Sequence, residues 1–186
     1  FVDNSTGYSA GTYGTLLKST DGGAEWTQIS SGTDKNLISM CFVNASTGYV
    51  GGARQLLRKT TDAGQTWQNL QLPVQGQWDT AYYVMDINFV TPNTGYVVGF
   101  FQLESKIWKT TDGGSSWTTQ GTGGANYLKK TYFLDETNGF AFGGPTYSEV
   151  IKTTNGGASW QSVSQESYIA YSMCFINATT GVYGCA

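Results

Sequence analysis

The side chains able to do chemistry in this sequence are carboxylates, hydroxyls, lysine amines and three thiols, and the chain contains no histidine. Without imidazole there is no Ser-His or Cys-His nucleophilic system and no His-ligated metal site. Cys41, Cys174 and Cys185 are scattered, without metal-binding spacing. Thirteen acidic residues allow a paired-carboxylate glycosidase by count alone. Three of them, Asp21, Asp62 and Asp112, belong to a repeated turn, which leaves Asp86 on a strand and Glu104 and Glu149 in loops as loose candidates. Solvated or ion-paired surface carboxylates are the plainer account of those three. No glycine-rich phosphate loop opens a helix. The reading is therefore non-catalytic, with no metal and no cofactor expected.

Charge and hydropathy narrow the partners. The net charge is −3, and the 10 basic residues are spread along the chain, so no stripe is available to neutralise a phosphate backbone. No apolar run approaches the roughly 20 residues of a membrane span. Nucleic acid and membrane insertion are not expected.

The elements that must position everything else are repeats. Four segments align: 19–26, 60–67, 110–117 and 153–160, each with Ser or Thr, then Asp or Asn, a Gly-rich corner and a Trp. Their corner residues are Asp21, Asp62, Asp112 and Asn155, and their indoles are Trp26, Trp67, Trp117 and Trp160. A second element, Phe…Thr-Gly-Tyr or a close variant, starts at Phe1, Phe42, Phe89, Phe133 and Phe175. The two interleave with one period of roughly 40–50 residues, the length of a four-stranded propeller blade. In the second period the strands are read as 37–43 (A, with Ile38, Met40 and Phe42 alternating), 49–51 (B), 56–60 (C) and 66–70 (D). Only 12% of residues are charged, against 25 glycines and 15% aromatics, which suits an all-β chain of tight turns. The fold class is all-β: a β-propeller of four-stranded antiparallel blades in one segment, 1–186. Its repeats run over about 1–36, 37–83, 84–127 and 128–168, with a partial fifth over 169–186.

The corner chemistry explains the residue types. A short carboxylate or amide accepts hydrogen bonds from backbone N–H groups just beyond it. Glycine takes positive φ without a Cβ clash, and the Trp packs its ring on the blade. Asn155 keeps the acceptor oxygen and loses the charge, so an acid/base or metal role for this position is not expected.

The pattern Ser/Thr-x-Asp-x-Gly-x-x-Trp resembles the Asp-box, or bacterial neuraminidase repeat, shared by sialidases, sortilin-like receptors and some β-glucanases. Coupled to Phe…Thr-Gly-Tyr-x-x-Gly, it is most similar to the photosystem II stability/assembly factor propellers, whose repeats also occur in secreted bacterial surface proteins. The resemblance covers essentially the whole chain. The fifth Phe…Gly element duplicates the first where a closed ring would join complementary halves of one blade, so an arc of a larger propeller within a longer chain is expected over a closed four-bladed ring, and the resemblance implies about seven blades. It implies an extracellular, cell-surface or periplasmic module. A sialidase would clamp its substrate with three arginines; this chain has only Arg54 and Arg58. An accessory piece of a glycoside hydrolase, or a spacer in a fibre or assembly factor, are the competing readings. The shortage of arginine argues against the basic patch an assembly factor would show.

In such a blade the A–B and C–D turns share one face, and the B–C and D–A connections share the other. Variable loops on a rigid scaffold are where binding residues concentrate. The loops read from the sequence are 11–14, 52–55, 100–106 and 143–149 (B–C) and 30–36, 72–82, 121–127 and 164–168 (D–A). Their aromatics are Tyr13, Trp78, Tyr82, Phe100, Phe101, Tyr127, Tyr147 and Tyr168. Trp78, Tyr82, Phe100, Phe101, Tyr127 and Tyr147 form the expected surface for a protein segment or glycan, with Trp78 and Phe100 or Phe101 as anchors. The sequons at Asn4, Asn44 and Asn177 fall in A–B turns, where turn hydrogen bonding is the simpler explanation of the residue types. Cys174 and Cys185 lie on adjacent strands of one hairpin, leaving a disulfide open.

Overall fold

Alternation and turn residues resolve into strands throughout. The computed structural model describes residues 1–73, 81–166, 170–177 and 180–185. The first sheet has three strands: β1 (Gly7–Ala10), β2 (Leu16–Ser19) and β3 (Thr27–Ile29). Three four-stranded sheets follow. They comprise β4 (Leu37–Phe42), β5 (Gly48–Gly52), β6 (Leu56–Thr60) and β7 (Gln68–Asn69); then β8 (Tyr83–Phe89), β9 (Gly95–Phe101), β10 (Glu104–Thr110) and β11 (Thr118–Gln120); then β12 (Leu128–Phe133), β13 (Gly139–Gly143), β14 (Ser148–Thr153) and β15 (Gln161–Glu166). A hairpin of β16 (Ala170–Asn177) and β17 (Thr180–Cys185) ends the series. Every strand pair is antiparallel and follows chain order, so each sheet is a meander, the blade of a propeller. The innermost strands β4, β8 and β12 pack side by side in that order.

The core lies between blades. One cluster, around Tyr49, Leu57, Val84, Trp108 and Trp117, joins the second and third blades; another, around Tyr96, Ile107, Leu128, Ile151 and Trp160, joins the third and fourth. The repeated motif residues build these joints. Tyr8 on β1, Tyr49 on β5 and Tyr96 on β9 stack on Phe42, Phe89 and Phe133 of the next blade at centroid distances of 3.9, 4.0 and 3.6 Å. Each Phe meets the Asp-box Trp of its own blade edge-on: Trp67, Trp117 and Trp160. Offset and edge-to-face contacts are the favoured geometries of aromatic rings.

The glycine of the Phe…Gly element is needed for space. A Cβ at Gly48, Gly95 or Gly139 would lie 2.6, 2.6 or 2.4 Å from the ring of Phe42, Phe89 or Phe133. Trp26, which stacks edge-on to Phe1, is 39% exposed, whereas the other three box indoles are at most 8% exposed.

Two readings of the strands are corrected. Strand A of the second blade carries a bulge between Leu37 and Ser39, so Ile38 is 39% exposed and does not alternate into the core with Met40 and Phe42. The 100–106 loop shrinks to two residues, because β9 runs to Phe101 and β10 begins at Glu104. The final hairpin sets Cys174 opposite Val182 and Cys185 opposite Ala170, so the two cysteines are not facing partners in the ladder.

Candidate binding face

The Asp-box corners form a stereotyped face whose side chains hydrogen-bond within each turn. The hydroxyl of Thr60 donates to Asp62 Oδ1 at 2.8 Å and accepts from the Gly64 N–H at 2.9 Å. Asp62 then accepts from the Thr66 N–H at 2.8 Å and from the Thr66 hydroxyl at 2.5 Å. Asp112 repeats this with Thr110 and Ser116. Asp21 accepts from the Ser19 hydroxyl and from the Glu25 N–H. In the fourth box Asn155 Oδ1 keeps the acceptor role toward Thr153 and Ser159, while its Nδ2 donates to the Ser159 hydroxyl at 2.8 Å. These donors hold the Asp62 and Asp112 carboxyls down at about 2, with the Thr66 and Ser116 hydroxyls the largest cause. Backbone donation from Glu25 lowers Asp21. The acids are committed to turns.

The A–B turns on the same face are built alike. Asn44 Oδ1 accepts from the Ser46 N–H and hydroxyl and the Thr47 N–H, and Asp135 makes the same set with Thr137 and Asn138. In the first repeat Asp3 does this and Asn4 is exposed beside it. The side chain of Asn177 lies outside the described residues.

The loose catalytic candidates are not gathered. Asp86 is 8% exposed on β8 and bridges three blades: Lys130 Nζ lies 2.9 Å from Oδ1, Ser39 Oγ donates to the same oxygen at 3.2 Å, and the Thr131 N–H donates to Oδ2 at 3.0 Å. Ser39, Asp86 and Lys130 each follow the strand bulge of their blade, so the bulges align them across the inner strands. Glu104 begins β10 and Glu149 lies on β14 of the next blade. Among the described residues no three acidic or cysteine side chains cluster as metal ligands. Arg58 is also structural: its guanidinium donates to the carbonyls of Ser31 and, at 2.9 Å, Trp67.

The opposite face, of B–C and D–A connections, carries an aromatic row. Tyr83 and Phe100 are cross-strand partners with centroids 6.4 Å apart; Phe100 then stacks on Tyr127 of the next blade at 3.9 Å, and Lys129 Nζ sits 5.4 Å over the Tyr127 ring. Tyr83 is 42% exposed, and the corner residues Leu103 and Tyr147, 59% and 47% exposed, stand beside the row. Leu103, Asn126, Pro145, Tyr147 and Glu149 line a small recess of about 130 Å3 there. The row passes from blade to blade because Tyr127, at φ 59°, turns its chain into β12 while its carbonyl accepts the Gly144 N–H.

Of the residues expected to bind, Phe100, Tyr127 and Tyr147 belong to this surface. Tyr82 does not: it is 1% exposed, edge-on to Trp108 and 4.8 Å beneath Lys106 Nζ, so its ring is core. Phe101 packs against Tyr82 and the same cluster. Trp78 and Tyr168 lie outside the described residues. The exposed ring missed by sequence reasoning is Tyr83. The alternation that buries Val84 at the head of β8 places its neighbour outside, and that alternation was the available signal.

The family model for the photosynthesis system II assembly factor YCF48 matches residues 1–78 and 73–181. No curated protein matches the chain. A solved YCF48 bound to a D1 peptide is similar over all of this chain and 88% of its own, at 15% identity and TM-score 0.52. YCF48 from Cyanidioschyzon merolae is similar over 75% of this chain, at 18% identity and TM-score 0.62, and the GH74 enzyme of Niastella koreensis over 80%, at 21% identity and TM-score 0.63. The chain spans 47% and 25% of those two proteins. At such identities the likeness establishes the propeller fold.

Proposed function

Because this chain belongs to the photosynthesis system II assembly factor YCF48 family, we propose that it is a non-catalytic propeller module whose loop face takes an extended protein segment. The observation that carries the reading is the Tyr83–Phe100–Tyr127 row, a run of stacked rings across two blades in which Tyr83 is exposed and Phe100 and Tyr127 are half-buried. Large rigid rings contribute contact area with little loss of side-chain freedom, which is why they anchor recognition surfaces. A structurally similar YCF48 binds a D1 peptide, which favours a protein segment over a glycan as the ligand class. Bound acids on the Asp-box face and the paired Asp86 support a binding role over hydrolysis. The reading carries with it a location outside the cytosol, within a longer surface or secreted chain, as with similar repeats elsewhere.

The test is a paired screen on an array of random 12-residue peptides and on a glycan array. Peptide hits should appear and should weaken at least tenfold in the Tyr83→Ser/Phe100→Ser variant. Glycan hits alone, or peptide hits indifferent to both substitutions, would reject the proposal.

A further inference from the structure

On the same face, one blade before the aromatic row, a cavity of about 390 Å3 opens beside the β5–β6 corner. Lys35, Arg54, Gln55, Asn69 and Gln71 line it together with leucines that include Leu57, and no acidic side chain is among the lining residues. Two cations and three amides over an apolar floor make a site for an anionic group. Gln55 contributes to the wall while its Nε2 is buried behind it.

The corner itself is strained. The Leu56 N–H bonds back to the Ala53 carbonyl, and the two residues between, Arg54 and Gln55, have φ of 57° and 54°. Two-residue hairpin corners with both φ positive strongly favour Asn-Gly, because a Cβ is costly there. A long cation and a long amide in that turn are a local rule broken where both residues line one cavity. The Gln55 N–H also donates to the Tyr82 carbonyl at 2.6 Å, so the corner is fixed to the strand that begins with Tyr83.

We infer that this cavity is a carboxylate-reading subsite of the segment-binding face, with Arg54 and Lys35 supplying the charge. The inference rests on the reading above and adds the chemistry of the segment: an acidic side chain or a terminal carboxylate docks one blade away from the residues that lie on the rings.

The experiment follows the side-chain ¹⁵N signals of Arg54 and Gln55 during titration with three small probes. They are N-acetyl-leucine (terminal carboxylate), N-acetyl-glutamate methylamide (side-chain carboxylate) and neutral N-acetyl-leucinamide. The Gln55 amide should shift saturably with at least one carboxylate and not with the neutral probe, and the stronger arm identifies the source. Lys35→Ala/Arg54→Ala should weaken that binding about tenfold or more, while Ser115→Ala on the opposite face leaves it unchanged. No saturable shift with either carboxylate, or an equal shift with the neutral probe, overturns the subsite. Tighter binding of inorganic phosphate overturns it too. The probes are too short to reach the rings, so a failure here leaves the segment-binding reading standing, and a failure of that reading leaves this result intact.

Discussion

The hydroxyl of Tyr49 donates a 2.8 Å hydrogen bond to the carbonyl of Gly113, 64 residues away at the Asp-box corner of the next blade. Lys59 Nζ reaches the same oxygen at 2.7 Å while lying 5.5 Å over the Tyr49 ring. Tyr8 and Lys18 do this to Ala63, and Tyr96 and Lys109 to Gly156. The corner residue projects its carbonyl because it sits at positive φ, 59° at Ala63 and 65–66° at the two glycines. The repeat is therefore a code for joining blades as well as for turning strands.

Tyr49→Phe keeps the stacked ring and the Lys59 donor, so it should cost only about 1 kcal/mol. Tyr49→Ala should cost about 3–5 kcal/mol, the usual range for truncating a buried aromatic. Urea unfolding of both variants checks the ratio. Equal losses would mean that the ring stack contributes nothing beyond the hydroxyl.

Gly95→Ala should destabilise by about 1–3 kcal/mol through overpacking, since its Cβ would meet the Phe89 ring. The cost should largely vanish in a Phe89→Ala background, a coupling read by a double-mutant cycle. Additive losses would contradict the steric account.

Acid sensitivity follows from the boxes. Asp62 and Asp112 have folded values of about 2, below the ordinary 3.8. A depressed value means that the stabilisation is complete above about pH 4 and is lost as pH falls toward 2. Asn155 shows that the turn closes without the charge. Asp62→Asn/Asp112→Asn should therefore flatten the fall in urea midpoint between pH 4 and pH 2.5. Parallel curves for variant and parent would contradict this.

Much of this was legible in the sequence, and the limits have physical causes. The box, the Phe…Gly-Tyr element and the strand order follow from local turn chemistry and a fixed period; strand C of the second blade, 56–60, matches β6. Tyr82 is core because Trp108 and Lys106, more than 20 residues along the chain, cover its ring, whereas the alternation of β8 already pointed to Tyr83 as the outward residue. Asp86 looked available because its partners, Ser39 and Lys130, are 47 and 44 residues away. The positive φ at Arg54 and Gln55 was hidden, since neither residue type signals such a turn.

Replacing that corner with its favoured residues, Arg54→Asn/Gln55→Gly, should stabilise the protein by about 1–2 kcal/mol by removing left-handed strain. The same change should abolish carboxylate binding. Stabilisation without loss of binding would show that the strain serves no site.

The most direct test of the segment-binding face is photo-crosslinking with p-benzoylphenylalanine installed singly at Leu103, Tyr147 or Ser115, using the strongest array-selected peptide. Positions 103 and 147 flank the ring row, and position 115 lies on the Asp-box face. The account predicts peptide adducts from 103 and 147 and none from 115. Adducts from 115 alone, or equally from all three, would contradict it.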